Sequence, residues 1–502
     1  MNRTQKFALN SLVAAVNQVV VMVVGIITPR LMIATYGSEI NGLVSSLNQF
    51  ITYISLVEAG IGGAAVFALY KPLAENKYSN ISRIVAAAQK SYTQAGVLFS
   101  SGLLCLAVVY GVLCNTDTLT FGVIFSISIL LGINSCVDFF LVAGFRVLLT
   151  ADQKNYIISS TGIIQTVLRA AILVILAYSK VNVVLVYAIA ACPCFLKALL
   201  IFLYCKRNYR YVDKNAEPDT TALNKRWDVI YQQILGVVQS GAPTVIATVL
   251  LDFLQVSVFS VYNMVITGIN GILGIFISGL PAGFGELIAK KEYENLKKTT
   301  GEFEVAYYWI LSVVYGITLV MILPFIQVYT NGLTDIEYYR PSLAFVVVLN
   351  GLLYNIKTPQ SMLIISAGMY QETRWRVTIQ GSLILVCGVL LGMPFGLEGI
   401  VIGSCISNLY RTVDLIYFVP KYITHTDPWK SVKRMLRVVF NVSLILLPAF
   451  ISPIRVAGYI SWLLYAVGVG IYALLIVTAT SFLFDKSEFI SLIERIKRVL
   501  LH

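Results

Sequence analysis

Seven stretches of this chain run for 21 or more residues without an Asp, Glu, Lys or Arg: 7–29, 91–116, 229–251, 253–285, 305–334, 377–397 and 456–484. A helix rises about 1.5 Å per residue, so about 20 apolar residues cross a hydrocarbon layer of about 30 Å. Composition agrees: the 502 residues are 58% hydrophobic and only 12% charged, whereas soluble domains carry about 25% charged residues. So little charge cannot cover a soluble body of this size. A soluble enzyme, a disordered chain and a secreted disulfide scaffold are excluded, and the class is integral membrane.

Allowing one or two internal charges, the pattern predicts an all-α integral membrane protein with about fourteen transmembrane helices. They lie near 10–33, 42–70, 91–113, 119–145, 157–178, 182–204, 231–252, 258–286, 305–329, 342–367, 377–395, 398–419, 437–456 and 459–483. The charges test that count. With the N-terminus cytoplasmic, 29 of the 37 basic residues fall on the cytoplasmic side. Only Arg30, Lys180, Arg340 and Arg455 face the other side, the bias expected of cytoplasmic loops. Both termini are then cytoplasmic. The five Trp are expected at or just before helix starts, where amphipathic rings suit the headgroup layer. The first apolar run exceeds a secretory h-region and lacks a small-residue cleavage site, so it reads as a retained helix. The net charge of +12 then serves orientation and leaflet attraction, and no nucleic-acid partner is expected.

Enzyme chemistry has little to stand on. The two His, His425 and His502, form no triad or metal set, and Cys192-Pro193-Cys194 has no second pair beside it. No catalytic residue, metal or cofactor is expected. The chain has no G-x-x-x-x-G-K-[ST] phosphate loop, so transport driven by ATP within it is not expected.

An internal offset of 215 places Gln18 on Gln233, Asn48 on Asn263, and Tyr78-Ser79-Asn80-Ile81 on Tyr293-Glu294-Asn295-Leu296. The shift is even in helix number, so the two copies would share orientation. The organisation expected is a six-helix lobe over 1–205, a cytoplasmic linker over 206–230 and a second six-helix lobe over 231–419. The lobes would be in pseudo-twofold relation. A loop, two extra helices and a basic tail complete the chain over 420–502.

Charges inside spans are costly and usually face a cavity or a partner. The cations are Arg169, Lys197, Lys357 and Arg411; the acids are Glu58, Asp138 and Asp414. Four deep cations point to a cavity for an anionic substrate, with phosphate the natural candidate. The competing reading is ion pairing with Glu58 and Asp138, and Arg411 and Asp414 are three apart on one helix. A carboxyl in a cavity of low dielectric also suits proton loading, which makes Glu58 and Asp138 candidates for ion coupling.

The stretch Tyr36-Gly37-Ser38-Glu39-Ile40-Asn41-Gly42-Leu43, with Leu56-Val57-Glu58-Ala59-Gly60-Ile61-Gly62 and Ala68-Leu69-Tyr70-Lys71-Pro72-Leu73-Ala74-Glu75-Asn76, resembles the polysaccharide repeat-unit flippases (Wzx type). These form a polysaccharide transporter family within the multidrug/oligosaccharidyl-lipid/polysaccharide exporter superfamily. The local match covers about 28–90. The resemblance implies export of undecaprenyl-diphosphate-linked oligosaccharide for surface polysaccharide (O-antigen, capsule or exopolysaccharide) by alternating access of two lobes. It also implies a bacterial inner membrane and a cationic cavity, adds Arg30 as a headgroup contact, and makes a polysaccharide polymerase and glycosyltransferases candidate partners. Asn48, Tyr53, Asn263 and Asn355, with Gln49, Asn270 and Asn350, are candidate glycan contacts. The alternative is a cation-coupled multidrug antiporter of the same superfamily. A membrane-embedded glycosyltransferase would need a larger outer loop than this chain has.

Overall fold

The computed structural model describes residues 3–114, 119–213, 216–219, 227–277, 280–451 and 456–501. Among these residues every regular element is a helix. Ten helices are long and apolar enough to span a membrane, and an eleventh span results if one bent pair is counted together. The chain is a multi-pass membrane protein. Contacts divide it into two compact units, one of residues 1–248 with 253–257 and the other of 249–252 with 258–502.

The first unit holds α1 (Arg3–Tyr36), α2 (Ser38–Ile54), α3 (Ile61–Ala74), α4 (Tyr78–Leu113), α5 (Phe121–Val137), α6 (Ala143–Ala151), α7 (Asn155–Tyr178), α8 (Val183–Ala191) and α9 (Pro193–Asn208). It also holds most of α10 (Trp227–Leu250). Its core is built on Leu43, Leu47, Leu69, Phe99, Ile124 and Ile127, all fully buried. Gly42 lets α2 meet the chain at Phe253 closely, because a Cβ there would stand 1.7 Å from the Phe253 carbonyl oxygen. Only a residue without a side chain fits.

The second unit holds most of α11 (Phe253–Ile277), then α12 (Leu280–Ala289), α13 (Tyr293–Tyr329), α14 (Pro341–Ile356), α15 (Thr358–Ala367), α16 (Tyr370–Val419), α17 (Pro428–Ile451), α18 (Tyr459–Phe484) and α19 (Lys486–Leu501). Fully buried tyrosines (Tyr262, Tyr307, Tyr308, Tyr315 and Tyr329) fill its interior. The expected spans 377–395 and 398–419 both lie in α16, which folds back on itself at Gly396 (φ 59°). Gly403 would clash with Gly388 and Gly399 with Leu391 if either bore a Cβ. Ser407 Oγ donates to the Gln380 carbonyl (2.7 Å). Each pair sums to nearly the same number, as the two arms of an antiparallel hairpin must.

The structure departs from the expected spans in several places: α4 starts at 78 and not 91, and the spans 182–204 and 258–286 are each divided between two helices. The span 42–70 bends by 41° between Ser38–Glu58 and Ile61–Ala74, where Gly60 is left-handed (φ 81°). The span 342–367 is broken at Lys357 into α14 and α15. α13 starts twelve residues before its expected start, so Trp309 lies well inside it, donating to Thr478 Oγ1 (3.3 Å). In the expected linker and near the end of α17, residues 214–215, 220–226 and 452–455 lie outside the described residues.

The offset of 215 runs through the helix boundaries themselves. α2 and α11 start at 38 and 253, α4 and α13 at 78 and 293, α6 and α15 at 143 and 358, α7 and α16 at 155 and 370. Left-handed residues repeat likewise: Asn76 with Lys291, and Gln153 with Gly368. At each, the next residue's N–H reaches back five residues (Lys77 to Pro72, Glu292 to Leu287, Lys154 to Leu149, Met369 to Ile364). That is the Schellman closure of a helix C-terminus. Sparse residue identity thus accompanies the repetition of four helix starts and two backbone corners.

Candidate functional site

Both units break a membrane helix at the same repeat position, before residue 143 in one and before residue 358 in the other. A broken helix frees backbone polar groups inside the membrane, tolerated only where protein or a cavity satisfies them. Such breaks are where transporters build binding sites.

In the first unit the break is a π-helical turn, Asp138–Val142. Gln89 on α4 satisfies it from both sides. Its Nε2 donates to the Phe140 carbonyl (3.0 Å), and its Oε1 accepts from Gly144 N–H (3.0 Å). Two ion pairs flank the turn. Lys197 Nζ on α9 donates to Asp138 Oδ1 (3.1 Å) and Oδ2 (3.3 Å). Arg146 Nη2 on α6 donates to Glu58 Oε2 (2.8 Å), and its guanidinium lies 5.6 Å from the centre of the Tyr92 ring. The two pairs place two acids and two cations beside the one turn.

In the second unit the break carries a cation alone. Lys357 is 7% exposed, and its Nζ donates to Asn408 Oδ1 and lies 4.8 Å from the centre of the Tyr354 ring. Asn408 Nδ2 in turn donates to Asn350 Oδ1 (2.9 Å). Among the described residues no carboxylate pairs with Lys357. Arg411 stands close enough to repel it. A buried lysine held by neutral groups only has no carboxylate to stabilise a charge on its Nζ. Behind it, Tyr308 Oη donates to the freed Ile356 carbonyl (3.0 Å), and Gln360 Nε2 donates to Glu304 Oε1 (2.8 Å). Glu304 sits at the repeat position of Gln89, and Tyr307 at that of Tyr92.

The remaining sequence candidates are distributed as follows. Arg411 Nη1 is bound to Asp414 Oδ2 (2.5 Å), and Asp414 also takes Arg376 from the other arm of the hairpin. Arg169 is half-buried on α7 and, among the described residues, forms no ion pair; Tyr187 is its electrostatic neighbour. Arg30 is half-buried on α1. Asn355 is buried and saturated: the two hydrogens of its Nδ2 are shared among Asn270 Oδ1 (2.7 Å), Tyr315 Oη (2.8 Å) and the Gly351 carbonyl (3.0 Å). Tyr53 Oη donates to the Val238 carbonyl of α10 (3.1 Å). Asn48 is exposed and Asn263 half-buried.

Sequence reasoning missed Arg146, one residue past the expected end of its span. It missed equally the buried network of Glu304, whose Oε2 accepts from Arg434 Nη1 (2.9 Å). A glutamate at 304, one residue before an uncharged run and aligned with Gln89 in the repeat, was the available signal.

No protein-family model and no curated protein matches the sequence. Solved structures do. The fold is similar to the inward-facing conformation of a multidrug resistance MATE family transporter of the MOP superfamily, with a TM-score of 0.61 at 12% identity over 86% of this chain and 98% of that one. It is similar to the lipid II flippase MurJ in an inward closed conformation, with a TM-score of 0.64 at 14% identity over 94% and 99%. An outward-facing MATE structure matches at 0.55. The chain therefore has the fold of these membrane transporters.

Proposed function

We propose that the chain is a flippase. It moves undecaprenyl-diphosphate-linked oligosaccharide repeat units across the cytoplasmic membrane by alternating access. The observation that carries this reading is Lys357, a buried cation at a helix break whose hydrogen-bond acceptor is the neutral Asn408. A phosphate oxygen taking the place of Asn408 Oδ1 would supply the missing negative charge where the surroundings screen it least. Arg169 is the second span cation without an ion pair among the described residues, and it offers the bidentate donors that suit phosphate. The likeness in fold to a lipid II flippase supports a lipid-linked substrate.

An antiporter of drugs and cations has almost equal support from fold alone. The acids argue against it. Glu58, Asp138 and Asp414 are each held by a cation of the chain, so a coupling cation would first have to open an ion pair.

Depleting the protein in its host and probing each leaflet for undecaprenyl-linked repeat units tests the proposal. Accumulation on the cytoplasmic leaflet is expected. An unchanged distribution would sink the flippase reading.

A further inference from the structure

Near its N-terminus α17 brings charge and apolar surface together on one face. Trp429, Lys433, Leu436 and Phe440 follow at helical spacing and so share that face. Trp429 is 65% exposed, Leu436 62% and Phe440 50%. Lys433 and the neighbouring Lys430 are exposed as well. Phe484, at the end of α18, closes the opposite wall of a cleft of about 560 Å³ that also contains Lys430, Lys433, Leu436 and Phe440.

The cleft's two arginines are already engaged. Arg434 binds Glu304, Asp485 and Glu488, and Arg437 binds Asp485. Lys430 and Lys433, in contrast, form no ion pair among the described residues. With Lys430 and Lys433 counted, four cations face the three carboxylates Glu304, Asp485 and Glu488, so the cleft keeps one positive charge in excess, carried by two ammonium groups set within two helical turns of an exposed apolar wall. A soluble anion would leave Leu436, Phe440 and Phe484 bare, and a zwitterionic lipid would bring no net charge to the lysines. An amphiphile with an anionic head satisfies both.

We propose that this cleft binds an anionic glycerophospholipid of the bilayer. Its phosphate lies at Lys430 and Lys433, and its acyl chains run along Leu436 and Phe440 against Phe484. The site lies over the ion pairs that join α17 to the α18–α19 junction, so an occupied cleft braces that junction. This inference is independent of what the protein transports.

The test uses the full-length protein in detergent, with bound lipid counted by native mass spectrometry and unfolding followed thermally. Dioleoyl-phosphatidylglycerol should bind and raise the unfolding midpoint, and dioleoyl-phosphatidylcholine should do neither to the same degree. K430Q/K433Q should weaken the phosphatidylglycerol affinity roughly fivefold per lysine while leaving the lipid-free midpoint unchanged. K430R/K433R should restore it. K206Q/R207Q, which removes the same charge elsewhere, should keep the preference. Equal binding of the two lipids would overturn the site, and so would full phosphatidylglycerol affinity in K430Q/K433Q or an equal loss in K206Q/R207Q.

Discussion

Gln153 and Gly368, 215 residues apart, hold the same left-handed corner, with φ 57° and 69°. Each closes the helix before it through the same pair of back-reaching N–H groups. Glycine takes this conformation without strain, and a residue with a Cβ does not. The two copies of one corner thus solve the same problem at different energetic cost.

Opposite substitutions should therefore have opposite effects. Gln153→Gly should stabilise the protein by roughly 0.5–1 kcal/mol and Gly368→Ala should destabilise it by a similar amount. A Cβ on Gly368 would meet nothing within 4 Å, so the conformation alone sets the sign. Thermal unfolding midpoints of the purified variants check both signs.

The ion pair of Asp138 with Lys197 should show strong coupling. Both side chains are mostly shielded, 22% and 14% exposed. Asp138→Asn should cost about 3–5 kcal/mol by stranding the lysine charge. The double variant D138N/K197Q should recover much of that loss. A double-mutant cycle on unfolding free energies measures it, and additive losses would show the pair to be uncoupled.

Asp152, in the loop after α6, gives a pH dependence with a definite sign. Burial pushes its pKa up, but hydrogen bonds from Lys154, Tyr209 and Lys6 outweigh this and hold it below the usual value. A carboxyl with a depressed folded pKa stabilises the protein above its unfolded value, about 3.9, and that contribution fades as pH falls through the folded pKa. Asp152→Asn should thus lower the unfolding midpoint at pH 7 and narrow its gap to the parent protein as the pH drops below about 4. Paired melts at the two pH values test it.

Hydropathy made the spans legible because lipid demands continuous apolar helices. The offset of 215 was legible in a few residues such as Asn48 with Asn263, and the backbone corners carry it much further. The pairing of the buried charges was not legible. Lys197 with Asp138 and Lys357 with Asn408 are contacts over more than fifty residues of sequence, which no local pattern encodes. One break had a signal: Thr358-Pro359 follows Lys357 directly, and proline disfavours helix in the residue before it. The other, Asp138–Val142, reads Asp-Phe-Phe-Leu-Val and contains no breaker. There the turn is sustained by Gln89 from another helix, so local sequence could not reveal it.

In the proposed export, Lys357 of the second unit and Arg169 of the first each offer a cation to phosphate. The most direct test measures export of undecaprenyl-linked repeat units in cells carrying Arg169→Ala or Lys357→Ala, with the amount of folded protein in the membrane quantified alongside. Both variants should abolish export at unchanged levels of folded protein. Normal export by both would rule out phosphate binding by these cations.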